Sequence, residues 1–174
     1  MSSVDQLDAV MSVALRSLVA DLSGGRWRGR EREVVSLFCF GHLLKHCLPS
    51  TVLSDPTQIA IEVAVPQVPE QKELSGKATS KVQVCKDIVI WPTPRLTCWD
   101  ADGRALVRPL AIIEWKHGKS AVSEPDVTWL RRFSARTPDF VGYAVCTNGS
   151  PDRPALSCTR LFMGERADRW LHIE

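Results

Sequence analysis

The sequence contains no CxxC pair, no internal repeat and no low-complexity segment. No run of it approaches the roughly 20 apolar residues that a membrane helix requires. A charged leader followed by an uninterrupted apolar stretch is also missing at the N-terminus, so the expectation is a cytoplasmic protein with no membrane association. Charge of either sign is scarce in sum: 22 Lys and Arg against 20 Asp and Glu give a net +2, which neither requires nor excludes an anionic partner. The six cysteines, Cys39, Cys47, Cys85, Cys98, Cys146 and Cys158, fall mostly within apolar runs, and a disulfide framework would suit a smaller secreted chain. They read as reduced core thiols. What remains is 174 residues, 44% hydrophobic and 24% charged, enough for one globular domain that buries about two thirds of its unfolded surface.

Within that domain two short runs stand out, Lys86-Asp87-Ile88-Val89-Ile90-Trp91 and Leu110-Ala111-Ile112-Ile113-Glu114-Trp115-Lys116. Both are β-branched and apolar, and both carry charges where a buried strand should have none. Unpaired buried carboxylates are costly, so Asp87, Glu114 and Lys116 need partners. Residues two apart on a strand share a face, which puts Glu114 and Lys116 on one side and Trp115 on the other. If the runs pair as a hairpin, Asp87 comes alongside Glu114, and two hard oxygen donors with one ammonium make a plausible hydrolytic metal site. The bland alternative is a hairpin in which Asp87 and Lys116 form an ion pair while Glu114 faces solvent.

Around these runs the pattern predicts an amphipathic helix opened by Ser3-Val4-Asp5-Gln6, a form of capping box, and ended by Gly24-Gly25. A second helix is predicted from about Arg30 to His46, with Val34, Leu37, Gly41, Leu44 and Leu48 on its apolar face and Glu31 and Glu33 in its first turn. Cys39, His42 and His46 fall on the other side, where surface histidines outweigh a zinc site that lacks a fourth ligand. A strand follows from Thr57 to Val68 with Ile59, Ile61, Val63 and Val65 on one face, and Glu62 reads as solvent-facing or satisfied rather than as a ligand. The polar stretch Pro69 to Ser80 is a loop. Lys81 to Trp91 is a strand; Arg95 to Trp99 and a turn at Asp100-Ala101-Asp102-Gly103 lead back into the run ending at Lys116. Asp126 to Ala135 reads as a helix with Val127, Leu130 and Phe133 inward, and Phe140 to Cys146 as a buried strand. Asn148 to Pro154 is a loop of turn residues, and Ala155 to Met163 with Trp170 to Ile173 forms a final edge strand or hairpin. Two basic patches suit phosphate contact as well as plain solvation: Arg26, Arg28 and Arg30 around Trp27, and Arg131, Arg132 and Arg136 on the later helix, with Lys119 between them in sequence.

Helix with glutamate, strand, strand with aspartate, strand ending in Glu-x-Lys, helix, strand: this order resembles the PD-(D/E)XK nuclease superfamily. The residues that carry the resemblance are Glu31 in Arg30-Glu31-Arg32-Glu33, Asp87 in Lys86-Asp87-Ile88-Val89-Ile90, and Glu114-Trp115-Lys116. It implies an α/β restriction-endonuclease-like fold: a central mixed β-sheet flanked by helices, an αβββαβ core over residues 26–147, an extra N-terminal helix over 1–25 and a C-terminal strand extension over 148–174. It further implies that Asp87 and Glu114 bind Mg2+ or Mn2+, that Glu31 completes or supports the site with Glu33 as runner-up, and that Lys116 orients or helps deprotonate the attacking water and offsets charge growing on the phosphate, the catalytic set being Glu31, Asp87, Glu114 and Lys116. The sequence departs at Lys86, where the motif's name puts proline; a lysine there could contact phosphate. The expected activity is metal-dependent hydrolysis of DNA, by a homodimer if both strands are cut. The chain leaves no room for a separate target-recognition domain, so low specificity or a recognition partner would fill that gap. Two other readings stay open: a catalytically silent nuclease-fold subunit that binds nucleic acid or protein, as in a phage-defence or mobile-element system, and an unrelated α/β domain.

Overall fold

The computed structural model describes residues 2–24, 29–67, 83–102, 105–150 and 153–174. Helix α1 (Ser3–Leu22) begins one residue earlier than the sequence pattern suggests: Ser2, not Ser3, is the cap, exchanging hydrogen bonds with Asp5 at 3.1 and 2.9 Å. Its apolar stripe of Leu7, Met11, Ala14, Leu15 and Leu18 is fully buried. Helix α2 (Glu31–Leu37) continues as a π-helical turn (Phe38–His42) and a tighter 3-10 turn (Leu43–His46).

That π-helical turn corrects the predicted faces of the second helix. Its wider winding rotates the residues beyond Leu37, so Phe38, Cys39, His42 and Leu43 point inward and Leu48 lies exposed. His42 is therefore no surface histidine: its Nδ1 meets Ser17 Oγ at 2.9 Å and its Nε2 lies 3.5 Å from Asp21. Among the described residues no group of three His, Cys, Asp or Glu side chains is placed to hold a metal ion, zinc included.

Among the described residues six strands form one mixed sheet in sequence order: β1 (Ile59–Pro66), β2 (Gln83–Ile90), β3 (Ala111–His117), β4 (Val141–Ser150), β5 (Arg153–Phe162) and β6 (Glu165–Ile173). Neighbours are antiparallel except β3 and β4, which are parallel and joined through α3 (Glu124–Ser134), as a parallel pair needs a crossover. Helices α1 and α2 cover one face, packing on Ile88, Ile90, Ile113, Trp115 and Tyr143. Helix α3 covers the other, packing on Val89, Trp91, Ile112 and Phe140. Gly142 allows α3 to lie this close, since a Cβ there would stand 3.1 Å from the Leu130 side chain. The chain is thus an α/β protein with a six-stranded mixed sheet between helices, and none of the described helices is long and apolar enough to cross a membrane.

Other predicted elements shift. The strand predicted from Thr57 starts at Ile59, because Asp55 caps a short 3-10 turn at Pro56–Gln58. No strand forms over Arg95 to Trp99, which is held by single contacts such as the Trp99 indole donating to the Ala64 carbonyl, 3.2 Å, and one bridge to Ala105. Asp100 does serve a turn, accepting from the Asp102 amide at 2.9 Å, while Gly103 lies outside the described residues. Asn148 to Ser150 and Arg153 to Pro154 are strand rather than loop, since β4 and β5 pair through to Ser150 and Arg153; Pro151 and Asp152 lie outside the described residues. The predicted loop at Pro69 to Ser80, together with Val68 and Lys81, lies outside the described residues.

The predicted single face of β1 also fails, with consequences for the site. Ile59 and Ile61 pack toward α1 and α2, whereas Val63 and Val65 pack toward α3. Between them Glu62 has φ +53°, and the β1–β2 pairing passes from Ile61–Ile88 to Val63–Lys86 without an Asp87 pair. The alternation of both strands is reset there with the register unchanged, one residue of each strand, Glu62 and Asp87, dropping out of the pairing.

Candidate functional site

The residues singled out in sequence converge where β2 and β3 part. The two strands pair from Ile90–Ala111 to Ile88–Ile113 and then diverge. Beyond that point Trp115 and His117 turn their amides to the same edge of β3, and each needs an acceptor. Asp87 Oδ2 takes the Trp115 amide at 2.7 Å, and Glu31 Oε2 takes the His117 amide at 3.1 Å. Two carboxylates from different elements thus continue the ladder that β2 leaves. Glu31 Oε1 also receives the Lys116 ammonium at 3.0 Å, and that ammonium donates to the Trp115 carbonyl at 2.7 Å.

Glu33 has a local task instead. Its Oε2 accepts from the Arg30 amide at 2.6 Å and closes the first turn of α2. Of the two acidic residues in that turn, Glu31 is the one that reaches β3. Glu62 is exposed and bridges to Arg32 at 2.8 Å.

Glu114 sits on the opposite face of β3 from Trp115, beside Ile112 and toward α3. It is buried, at 5% exposure, and its Oε1 accepts from the ammonium of Lys86, itself 4% exposed. Counting alternation back from Ile88 and Ile90 would place Lys86 on the α1 and α2 side; the reset at Glu62 and Asp87 turns it toward α3 instead. There its Nζ lies 4.0 Å from the centre of the Trp129 ring, whose indole N–H donates to Gln67 at 2.6 Å. Glu114 and Lys116 stand two residues apart on the unbroken β3, close enough for the Glu114 charge to act on Lys116, but their charged ends have different partners. The ion-pair alternative fails as drawn, because Glu114 faces the interior. Lys86 is corrected too: a buried lysine engaged by a carboxylate is no phosphate contact.

The electrostatics follow from this packing. Burial pushes the Glu114 carboxyl up, Lys86 opposes it, and the charges of Asp87 and Asp126 add to it, leaving about 7. Partial burial pulls Lys116 down, but the hydrogen bond to Glu31 and the charges of Asp87, Glu31 and Glu114 outweigh it and hold the ammonium above its ordinary value. Lys116 is therefore a proton-bearing cation at neutral pH.

As a donor set, Asp87, Glu114 and Glu31 are hard oxygens, the chemistry that Mg2+ and Mn2+ prefer. By type Asp87 and Glu114 suit such an ion, while the three carboxylates are not gathered into one ligand group: Glu31 is spent on Lys116 and the His117 amide, and Glu114 is held by an internal cation.

Of the basic residues, Arg30, Lys119 and Arg131 are exposed and Arg132 is half-buried, while Arg26 and Arg28 lie outside the described residues. Sequence reasoning missed the Lys86–Glu114 pair; the available signal was a second charge beside Asp87 in an apolar strand. Comparison of the chain with protein-family models, curated proteins and solved structures finds no match.

Proposed function

We propose that the chain is a metal-dependent nuclease of restriction-endonuclease-like fold, hydrolysing phosphodiester bonds in DNA. The observation that carries this reading is that Glu31 and Asp87, far apart in sequence, both reach the strand end Glu114-Trp115-Lys116-His117, which itself carries Glu114 and Lys116. Structural ion pairs alone do not require two acidic side chains to terminate a β ladder while a third is buried two residues away.

In this reading Asp87 and Glu114 hold Mg2+ or Mn2+, and Glu31 supports the site through Lys116 and the His117 amide. A bound divalent ion would supply Lewis acidity for the phosphate and lower the pKa of water. Lys116 would orient the attacking water or help deprotonate it, and would offset charge gathering on the phosphate oxygens. Arg30, Lys119 and Arg131 are exposed cations available to a DNA backbone. A homodimer would bring two such sites to a duplex, and a recognition or defence-system partner would supply specificity in a cytoplasmic setting.

One observation favours a second reading: Glu114 is already neutralised by Lys86, as in a fold that binds nucleic acid or protein without cutting. Incubating the folded chain with DNA and Mg2+, Mn2+ or EDTA separates the two. Metal-dependent cutting lost in Asp87→Asn supports the nuclease, and binding without cutting supports the silent subunit.

A further inference from the structure

Lys86 is an unusual neighbour for a carboxylate meant to hold a metal. Its burial is not an accident of one rotamer, because the backbone itself delivers it: Glu62 at φ +53° and the interrupted pairing opposite Asp87 reset the strand so that Lys86 shares the α3 side with Glu114. The Trp129 ring receives the ammonium on its face, and Trp129 is fixed by Gln67 and by stacking on Phe133 at 5.0 Å. Replacing a buried ion pair by apolar residues is often neutral or stabilising, so stability alone does not account for a lysine in this slot.

We infer that Lys86 competes with the divalent cation for Glu114, so that loading the site requires its ammonium to leave that carboxylate. The inference rests on the nuclease reading above. A monovalent ammonium and a divalent ion cannot both take one buried carboxylate without strong mutual repulsion. Lys86 therefore sets the metal concentration at which the site fills: the apparent affinity is the intrinsic one scaled by the fraction of molecules in which Glu114 is released.

The test is direct Mn2+ binding by titration calorimetry to the full-length chain and its Lys86→Met and Lys86→Gln variants, with thermal melts establishing that each is folded. Met keeps the aliphatic stem over Trp129, and Gln keeps a hydrogen bond to Glu114 without the charge, so the inference does not hang on one variant folding. Both should bind Mn2+ roughly tenfold more tightly than the parent, at a site that Asp87→Asn removes. Equal or weaker binding by the Lys86 variants at an Asp87-dependent site would overturn the inference and leave the nuclease reading standing. Absence of Asp87-dependent Mn2+ binding in all of them would overturn both.

Discussion

The Asp87 carboxylate accepts the Trp115 backbone amide at 2.7 Å, standing in for the ladder partner that β2 withdraws after Ile88. Asp87 thus has a structural and a proposed chemical role, and substitution separates them. Asp87→Asn retains an oxygen acceptor and should fold with near-parental stability while cutting DNA at least a hundredfold more slowly, since an amide is a poor ligand for a hard cation. Asp87→Ala leaves the amide without its acceptor and should cost about 1–3 kcal/mol in denaturant unfolding. If the Asn variant is destabilised as much as the Ala variant, the ladder role is misassigned.

Lys116 is held by Glu31, both side chains being partly exposed, and by the Trp115 carbonyl. Such a partly exposed pair contributes about 1 kcal/mol or less to stability. Lys116→Met should therefore melt within a few degrees of the parent and bind Mn2+ as well, yet lose cleavage. Full cleavage by this variant would remove Lys116 from the chemistry.

The raised Glu114 carboxyl makes stability depend on pH. The folded state keeps a proton that the unfolded chain releases between its ordinary value of 4.5 and about 7. Across that window the folded state binds more protons than the unfolded, so Glu114 makes stability fall as pH rises. Glu114→Gln carries no such proton and should flatten that part of the profile, measured by urea unfolding at several pH values. An unchanged slope would show that Glu114 is ionised in the folded protein throughout the window.

Thiol accessibility checks the packing independently. Cys85 is exposed, whereas Cys39, Cys98, Cys146 and Cys158 are buried, and burial pushes the Cys39 thiol up to about 12. Iodoacetamide applied to the native protein should modify Cys85 first and leave Cys39 and Cys158 untouched until the fold opens, as read by peptide mass spectrometry. Early modification of Cys39 would contradict the inward rotation of the π-helical turn.

How much of this was legible in the sequence depends on the kind of signal. Asp87, Glu114 and Lys116 could be found because charges interrupt apolar β-branched runs, and Glu31 because it opens an apolar helix. The choice of Glu31 over Glu33 was out of reach, since both suit a helix N-terminus and only the reach to β3 separates them. The burial of Lys86 is not legible because period-2 alternation assumes an unbroken strand, and nothing in Ile61-Glu62-Val63 announces a positive φ at glutamate. Cys39 and His42 were misplaced because one wide turn rotates every later residue, and helical spacing is counted without it. At Asn148 to Ser150 and Arg153 to Pro154 the turn-rich composition masks the continued pairing of β4 with β5.

The most direct measurement is cleavage of linear, circular and single-stranded DNA by the purified chain and by Asp87→Asn, each with Mg2+, Mn2+ or EDTA. The account predicts cutting with Mg2+ or Mn2+, none with EDTA, and none by the folded variant. Undiminished cutting by Asp87→Asn, or no cutting by the folded parent with either ion on any substrate, would contradict it.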